Sequence, residues 1–298
     1  MGSRSDRVAF VLSGGASLGA VQAGMLRALY ERSIVPDLVV GTSVGAINGA
    51  FIASRPQTVE SADELAEIWR GVRRGQVFPL RPLNGLLGFV GSRDHLVPES
   101  GLRRLIAEHT TYERLEQTPI EFHVVAVDVL TGEELLLSRG PALEAGLASA
   151  AIPAVLPPVA WEGRAVMDGG VANNTPISHA VALGARTVYV LATGHACALE
   201  QPPASALGMA LHALTLLAQS RLIADLENHR DHARLVVMPP PCPLAIQPID
   251  FSHADELIER SLEDARTFLG GGGTQRPPIR TRMQPRSHGR KKRAVGVT

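Results

Sequence analysis

The sequence contains few cysteines, almost no lysine and no long apolar run. Its two cysteines, Cys197 and Cys242, are far apart and form no Cys-x-x-Cys pair, so we predict ordinary thiols and neither a zinc site nor a disulfide framework. The most apolar stretch, residues 206–218, includes His212 and is shorter than the roughly 20 residues of a membrane span. The N-terminus has no signal-peptide pattern. These absences predict a soluble, cytoplasmic protein.

Charge is unevenly distributed, although its sum is zero. From Gly271 onward the chain has six arginines, the two lysines Lys291 and Lys292, and no acidic residue. Residues 1–270 therefore keep 21 of the 29 basic residues against all 29 acidic ones. The tail, residues 271–298, has no hydrophobic periodicity, which predicts disorder. Its basic run could contact anionic lipid or nucleic acid, or stay solvated without a partner.

Predicted strands and helices alternate along residues 1–270. The predicted strands are Val8–Leu12, the run before Gly41, Phe122–Val129, Val166–Asp168, residues 187–193 and Leu235–Met238. Residues 204–226 are predicted to form an amphipathic helix. Alternating strands and helices favour a mainly parallel sheet covered on both faces. At 298 residues and 45% hydrophobic content, the chain can bury the core of one α/β domain followed by the tail.

Residues 37–52 contain an apolar run, a turn with two glycines and a segment of helical spacing, DLVVGTSVGAINGAFI. This is the pattern of a nucleophile elbow, with Ser43 on a sharp turn between strand and helix. Gly41 and Gly45 leave room for the close approach of the two elements. The free N–H groups at the helix start favour negative charge on a bound oxygen. The alternative is an ordinary strand–helix turn with an N-capping serine.

A second glycine-rich turn, Ser13–Gly19, follows the first predicted strand and reads SGGASLG. Ala16 stands where a dinucleotide fingerprint needs its second glycine, and no Walker lysine follows, so no nucleotide cofactor is predicted. Consecutive N–H groups of Gly14, Gly15 and Ala16 could instead converge on one oxyanion. The alternative is that the glycines only permit a tight turn.

An acidic residue, Asp168, ends the apolar run Val166–Asp168 and is followed by two glycines. A nucleophilic serine needs a base, and none of the ten histidines has a catalytic signature in the sequence. A carboxylate can accept the serine proton directly when it lies within hydrogen-bond distance. Asp168 is therefore the candidate base for Ser43. The alternative is a turn residue, which is how we interpret Asp128 before the Thr131-Gly132 turn.

Four motifs in order resemble the patatin-like phospholipase family: Gly14-Gly15, Gly41-Thr42-Ser43-Val44-Gly45, the Ala/Pro-rich residues 148–158, and Asp168-Gly169-Gly170. The resemblance runs from about Val8 to Ala192. It implies a three-layer α/β/α fold with a mainly parallel central sheet, in a hydrolase domain of residues 1–270. It also implies a catalytic Ser-Asp dyad that requires neither a metal nor a cofactor.

The resemblance assigns roles to individual residues. Ser43 would be the nucleophile and Asp168 the general base. The oxyanion hole would comprise backbone N–H groups of Gly14, Gly15 and Ala16. The motifs would be supported by Gly19, Gly41, Gly45, Gly169 and Gly170. The family loop usually reads Gly-Gly-Gly-x-Arg/Lys-Gly, and here Ala16 and Leu18 depart from it.

The implied function is that of a lipid acyl hydrolase acting on phospholipid or another fatty-acyl ester through an acyl-enzyme. Two alternatives stay open: a thioesterase or general carboxylesterase with the same dyad, and a catalytically weak lipid-binding protein whose loop has drifted at Ala16 and Leu18. Peripheral membrane contact through the basic tail stays open beside a solvated tail without a partner, and no specific nucleic-acid partner is predicted.

Overall fold

The computed structural model describes residues 6–79, 95–194, 202, 206–242 and 246–272. The tail beyond residue 272 lies outside the described residues, as does Cys197, so the expectations for the tail stay predictions. Cys242 is disulfide-bonded, and the prediction of an ordinary thiol at this position is wrong. Spacing along the sequence does not reveal which loops meet in space, and the prediction rested on spacing alone.

The described residues form eight strands in one sheet. They are β1 Val8–Leu12, β2 Leu38–Thr42, β3 Glu121–Asp128, β4 Glu134–Leu137, β5 Val159–Trp161, β6 Arg164–Asp168, β7 Thr187–Leu191 and β8 Arg234–Met238. Their order is β5-β6-β3-β2-β1-β7-β8, with β4 paired to β3. The five strands β3, β2, β1, β7 and β8 run parallel, whereas β4, β5 and β6 join antiparallel. The prediction of a mainly parallel central sheet is confirmed.

Ten α-helices are present in the described part of the chain. They are α1 Ala20–Tyr30, α2 Val44–Ala53, α3 Val59–Gly71, α4 Arg74–Val77, α5 Ser100–His109, α6 Ala142–Ser149, α7 Gly170–Asn173, α8 Ile177–Ala182, α9 Ala206–His229 and α10 Ala254–Gly270. None of the described helices is long and apolar enough to cross a membrane.

Both faces of the sheet are covered by helices, which makes a three-layer α/β/α arrangement. Side chains alternate along β1, so Phe10 and Leu12 join the core formed with α1, α2, α3 and α10. Ala9 and Val11 join the core on the opposite face, where Ile177 of α8 and Leu222 of α9 pack. Burial on both faces explains why the parallel strands read as continuous apolar runs.

Helix α9 differs from its prediction. An amphipathic helix would turn its large apolar residues inward, yet Met209, Leu216 and Leu217 are exposed. Among the α9 side chains that the structure describes, the almost fully covered ones are Leu222 and Asp225, in the second half of the helix. Met209, Leu216 and Leu217 therefore do not form the buried face that an amphipathic helix would have.

Candidate active site

Ser43 lies on the turn between β2 and α2, where the nucleophile-elbow pattern predicts it. Its backbone angles are φ 55° and ψ −126°, a conformation that residues with a side chain rarely adopt. Such strain costs about 1–3 kcal/mol and persists only where the surroundings enforce it. Ser43 is also nearly buried, with 6% of its surface exposed. The local fold therefore holds this serine in an unfavourable conformation.

Gly41 and Gly45 are required by the close approach of backbone around the turn. A Cβ on Gly45 would collide with the carbonyl group of Leu12 at the end of β1. A Cβ on Gly41 would lie 2.6 Å from the Cα of Ala46. Backbone atoms cannot move aside cheaply, so both positions exclude larger residues. Glycine at position 45 lets the turn approach β1, and glycine at position 41 lets the end of β2 approach the start of α2.

Ser149, at the end of α6, connects the strained turn to β3. The N–H of Ser43 donates to Ser149 Oγ at 2.8 Å, and that hydroxyl donates to the carbonyl oxygen of Val125 at 2.6 Å. Ser149 is fully buried. Sequence analysis included Ser149 in the Ala/Pro-rich motif of residues 148–158 but gave it no role of its own.

The sheet register brings Asp168 to Ser43. Strand β2 pairs with one edge of β3 and ends with Thr42 opposite Val125. Strand β6 pairs antiparallel with β3 and ends with Asp168 opposite Ala126. Strand β4 pairs with β3 residues that also pair with β2 or with β6, so β4 lies along the opposite edge of β3. Strands β2 and β6 therefore lie one after the other along the same edge of β3, and their ends meet. Ser43 Oγ donates to Asp168 Oδ2 at 2.7 Å.

The Asp168 carboxylate is buried but keeps two hydrogen-bond donors. Its Oδ1 accepts from the N–H of Gly170 at 2.7 Å, while Oδ2 accepts from Ser43. The pKa of Asp168 is raised from the usual 3.8 to about 6, because burial raises it by more than the hydrogen bonds from Ser43 and Gly170 lower it. Strand β6 ends at Asp168 and α7 begins at Gly170, and a Cβ on the intervening Gly169 would collide with the Val125 carbonyl oxygen.

The glycine-rich loop lies beside the Ser43–Asp168 pair. The N–H of Gly14, a predicted oxyanion donor, already donates to the carbonyl oxygen of Asn174 at 3.1 Å. The N–H groups of Gly15 and Ala16 donate to no described residue, and both residues line a cavity with Ser43. Ala16 has φ 51°, so an alanine occupies a conformation that glycine adopts more easily. Gly15 and Ala16 are thus the two available donors.

A buried polar network lies behind this loop. The side-chain amide of Gln22 donates to the carbonyl oxygens of Ser13 and Leu191 at 2.9 and 3.0 Å. Asn48 donates to Gln22 Oε1 at 2.8 Å and accepts from Trp69 Nε1 at 3.1 Å. Because Gln22 and Asn48 are buried and bonded, the network fixes the loop's position. Sequence analysis gave none of these three side chains a role at the site.

Two cavities meet at Ser43. The first, which we call the apolar cavity, has a volume of about 820 Å³ including its open side. Its walls are mostly apolar side chains, among them Val44, Ile47, Phe51, Leu65, Trp69 and Leu102. The second, the Ser–Asp cavity, contains Asp168 as well as Ser43 and is bordered by the glycine-rich loop and α9. Among the described residues, no group of acidic, histidine and cysteine side chains could hold a metal ion.

The other predicted site residues have structural contacts. Gly19 ends the 3-10 turn Ala16–Gly19 and lies against Val44 and Trp69, where a Cβ would clash. Asp128 accepts from the N–H groups of Leu130 and Thr131 at 2.8 and 3.0 Å, so its turn-stabilising interpretation agrees with its contacts.

Comparisons with known proteins give one consistent family. Residues 10–181 match the family model described as patatin-like phospholipase. An uncharacterized NTE family protein of Mycobacterium tuberculosis is 30% identical over 177 residues, covering 59% of this chain and 46% of the relative. Lysophospholipase NTE1 of Mycosarcoma maydis is 27% identical over 194 residues, covering 63% of this chain and 10% of the relative.

A solved structure of human GIVD cytosolic phospholipase A2 in complex with methyl gamma-linolenyl fluorophosphonate aligns with a TM-score of 0.49 and 12% identity. The alignment covers 92% of this chain and 58% of that one. The chain spans less than half the length of each of these two curated relatives.

Proposed function

This chain belongs to the patatin-like phospholipase family, and from that membership we propose that it is a lipid acyl hydrolase. It cleaves carboxylic esters of fatty acids, phospholipids among them, through a Ser43–Asp168 dyad and an acyl-enzyme. The observation that carries the proposal is the 2.7 Å hydrogen bond from Ser43 Oγ to Asp168 Oδ2. This bond lies where an apolar cavity meets a cavity bordered by Gly15 and Ala16, whose N–H groups donate to no described residue.

Acylation begins with attack of Ser43 Oγ on the ester carbonyl carbon. Asp168 accepts the hydroxyl proton as the new bond forms. The carbonyl oxygen becomes an oxyanion, which accepts hydrogen bonds from the N–H groups of Gly15 and Ala16. When the tetrahedral intermediate collapses, the leaving alcohol takes the proton from Asp168, and the acyl group stays on Ser43.

Deacylation repeats these steps with water as the nucleophile. Asp168 accepts a proton from the water that attacks the acyl carbonyl carbon. Ser43 then leaves as the alcohol and recovers the proton, which releases the fatty acid. A carboxyl with its pKa raised to about 6 is a stronger base than an ordinary aspartate and is still mostly ionised at neutral pH.

The apolar cavity suits the acyl chain of the substrate. It begins at Ser43 and is lined by aliphatic and aromatic side chains of α2, α3 and α5. Mostly apolar walls with a few polar groups at one end are common in ligand pockets. A hydrocarbon chain placed here would leave water, while its carbonyl group would stay beside Ser43 and the glycine-rich loop.

The proposal is tested by covalent labelling and fatty-acid release. We expect a fluorophosphonate probe to label the wild-type chain and mixed phospholipid vesicles to release fatty acid, with both signals lost in Ser43→Ala. Ser33→Ala is the matched control, because Ser33 has the same φ of 55° but is exposed and precedes β2, whereas Ser43 follows the other end of that strand. It should be labelled like wild type.

The outcomes separate the alternatives. Hydrolysis of short p-nitrophenyl esters without release from vesicles would favour a general carboxylesterase, and hydrolysis of acyl thioesters would favour a thioesterase. An unlabelled wild-type protein that hydrolyses none of these substrates would contradict the enzymatic proposal and leave a lipid-binding protein.

The activity should depend on pH through Asp168. Because the base must be ionised, kcat/KM is expected to rise with pH and level off above the pKa of about 6. At pH 5 it should be about tenfold lower than at pH 8. The measurement is the pH profile of kcat/KM with a soluble ester, together with the pH profile of the labelling rate. A profile that is flat from pH 5 to 8 would exclude Asp168 as the base.

A further inference from the structure

The first half of α9 exposes a group of large apolar side chains. Met209, Leu214, Leu216 and Leu217 are 47%, 40%, 48% and 67% exposed, and we call these four residues the α9 surface. Leu216 and Leu217 follow Met209 by seven and eight residues, about two helical turns, so the three side chains lie on one side of the helix. Clustered exposed leucines are costly in water, so they usually mark a contact with another apolar phase.

No formal charge interrupts this part of the chain. Residues 201–220 contain no Asp, Glu, Lys or Arg. The first charged residue, Arg221, donates to the buried carboxylate of Asp225 at 3.0 Å. The half of α9 that precedes Arg221 therefore offers neither the charged groups that keep an exposed helix solvated nor acidic groups that a lipid surface would repel.

The α9 surface continues into the Ser–Asp cavity. Leu214 is partly exposed and also lines that cavity with Ser43 and Asp168. Val171 of α7, which is 45% exposed, lines the same cavity. A molecule that covers the α9 surface therefore lies at the opening through which a substrate reaches the dyad.

We propose that the α9 surface docks on a phospholipid bilayer, with the side chains of Leu216 and Leu217 inserted among the lipid acyl chains. The inference rests on the proposed lipid hydrolase function and adds the element through which the enzyme meets its substrate. In this orientation, helix α9 lies in the plane of the interface with its apolar side chains a few ångströms deep. An acyl chain then passes from the bilayer along Leu214 into the site without crossing water.

The position of the surface distinguishes lipid from a protein partner. A folded protein or a second copy of this chain seated on α9 would cover the opening bordered by Leu214 and Val171, and would obstruct the substrate. A bilayer in the same place supplies the substrate. Its hydrocarbon also needs no charged partner, which agrees with the uncharged sequence of residues 201–220.

The test is a double variant, Leu216→Glu with Leu217→Glu, in the full chain. The matched control is Leu130→Glu, because Leu130 is 88% exposed in the turn after β3 and lines neither cavity. Binding is measured by flotation with phosphatidylcholine vesicles in the Ser43→Ala background, so that no hydrolysis occurs. Zwitterionic lipid keeps the electrostatic contribution of the basic tail small.

We expect the double variant to bind vesicles about tenfold less than its parent, and to release vesicle fatty acid at a correspondingly lower rate when Ser43 is present. Hydrolysis of a soluble short-chain p-nitrophenyl ester should stay within about twofold of wild type, because Leu216 and Leu217 lie outside both cavities. Leu130→Glu should match wild type in all three measurements.

Two results would overturn the docking proposal. In the first, the double variant binds vesicles and releases their fatty acid like wild type, which contradicts docking. Its hydrolysis of the soluble ester would show that the enzymatic function is unaffected by that result. In the second, sedimentation shows that the wild type is a dimer and the double variant a monomer, while both bind vesicles equally. The α9 surface would then be an interface between two copies of the chain. A failure of the function itself is recognised separately, by the absence of ester hydrolysis and of Ser43 labelling in the wild type.

Discussion

Asp168→Asn is expected to abolish ester hydrolysis and at the same time to stabilise the protein. The activity should fall about 10⁴-fold, because the amide cannot accept the Ser43 proton. The fold should be kept, since the amide oxygen can accept from Gly170 and the amide nitrogen can donate to Ser43 Oγ. The gain in stability follows from burial, which disfavours the ionised carboxylate in the folded state.

The sign of the pH dependence follows from the pKa of Asp168. Folding raises this pKa from 3.8 to about 6, so the folded wild type binds a proton more tightly than the unfolded chain. Its stability therefore decreases as pH rises from 4 through 6, and the decrease is complete above that range. A pKa difference of this size corresponds to roughly 3 kcal/mol.

Chemical unfolding at a series of pH values tests this prediction. We expect Asp168→Asn to be more stable than wild type at pH 8, by up to about 3 kcal/mol, and this advantage to disappear toward pH 4. Asp128→Asn is the control with the opposite sign, because hydrogen bonds from the N–H groups of Thr131 and Leu130 hold the pKa of Asp128 below its usual range. It should destabilise the protein at neutral pH and leave hydrolysis unchanged. A loss of stability in Asp168→Asn at pH 8 would contradict the buried-carboxylate explanation.

The parts of the site that local sequence predicts are its turns. The spacing of Gly41, Ser43 and Gly45 specifies a strand, a tight turn and a helix, and the structure has this turn with Ser43 at positive φ. Asp168 followed by two glycines likewise ends a strand at a sharp turn. In both segments, the residues that define the turn are close neighbours in the sequence. A short stretch of sequence is therefore enough to predict each turn.

The meeting of Ser43 with Asp168 depends on residues far apart in the chain. It requires β2 and β6 to share one edge of β3 and β4 to occupy the other. Neither β4 nor β5 was predicted, because strands of four and three residues carry too little periodicity to be recognised. Sequence reasoning paired Ser43 with Asp168 because a nucleophilic serine needs a base and because of the family resemblance. It did not predict the strand pairing that brings the two residues together.

The supporting polar residues were given no role of their own for a related reason. Gln22, Asn48 and Ser149 are single polar side chains within apolar or small-residue segments, and each acts through a partner that is distant in sequence. A periodicity argument treats such a residue as an interruption of a buried face. Only the fold shows that each one bonds a backbone group or side chain near the reacting atoms.

Ser149→Ala is expected to be strongly destabilising although it removes only one oxygen atom. The substitution deprives the Ser43 N–H of its acceptor and the Val125 carbonyl oxygen of a donor, both in the interior. An unsatisfied buried group costs about 1–3 kcal/mol, so we expect a loss of roughly 2–4 kcal/mol in the free energy of unfolding. Because the same bond restrains the strained turn, kcat should also fall by about 10- to 100-fold.

The matched control is Ser261→Ala in α10. Ser261 is also fully buried, but its hydroxyl donates to the carbonyl oxygen of Ile258 within the same helix, where the backbone already supplies a donor. This variant should lose less than about 1 kcal/mol and keep full activity. Urea unfolding and soluble-ester kinetics on both variants separate the two effects. If Ser149→Ala matched Ser261→Ala in both measurements, the positive φ of Ser43 would be maintained by β2, α2 and their glycines alone, and the Ser149 bridge would have no part in positioning the nucleophile.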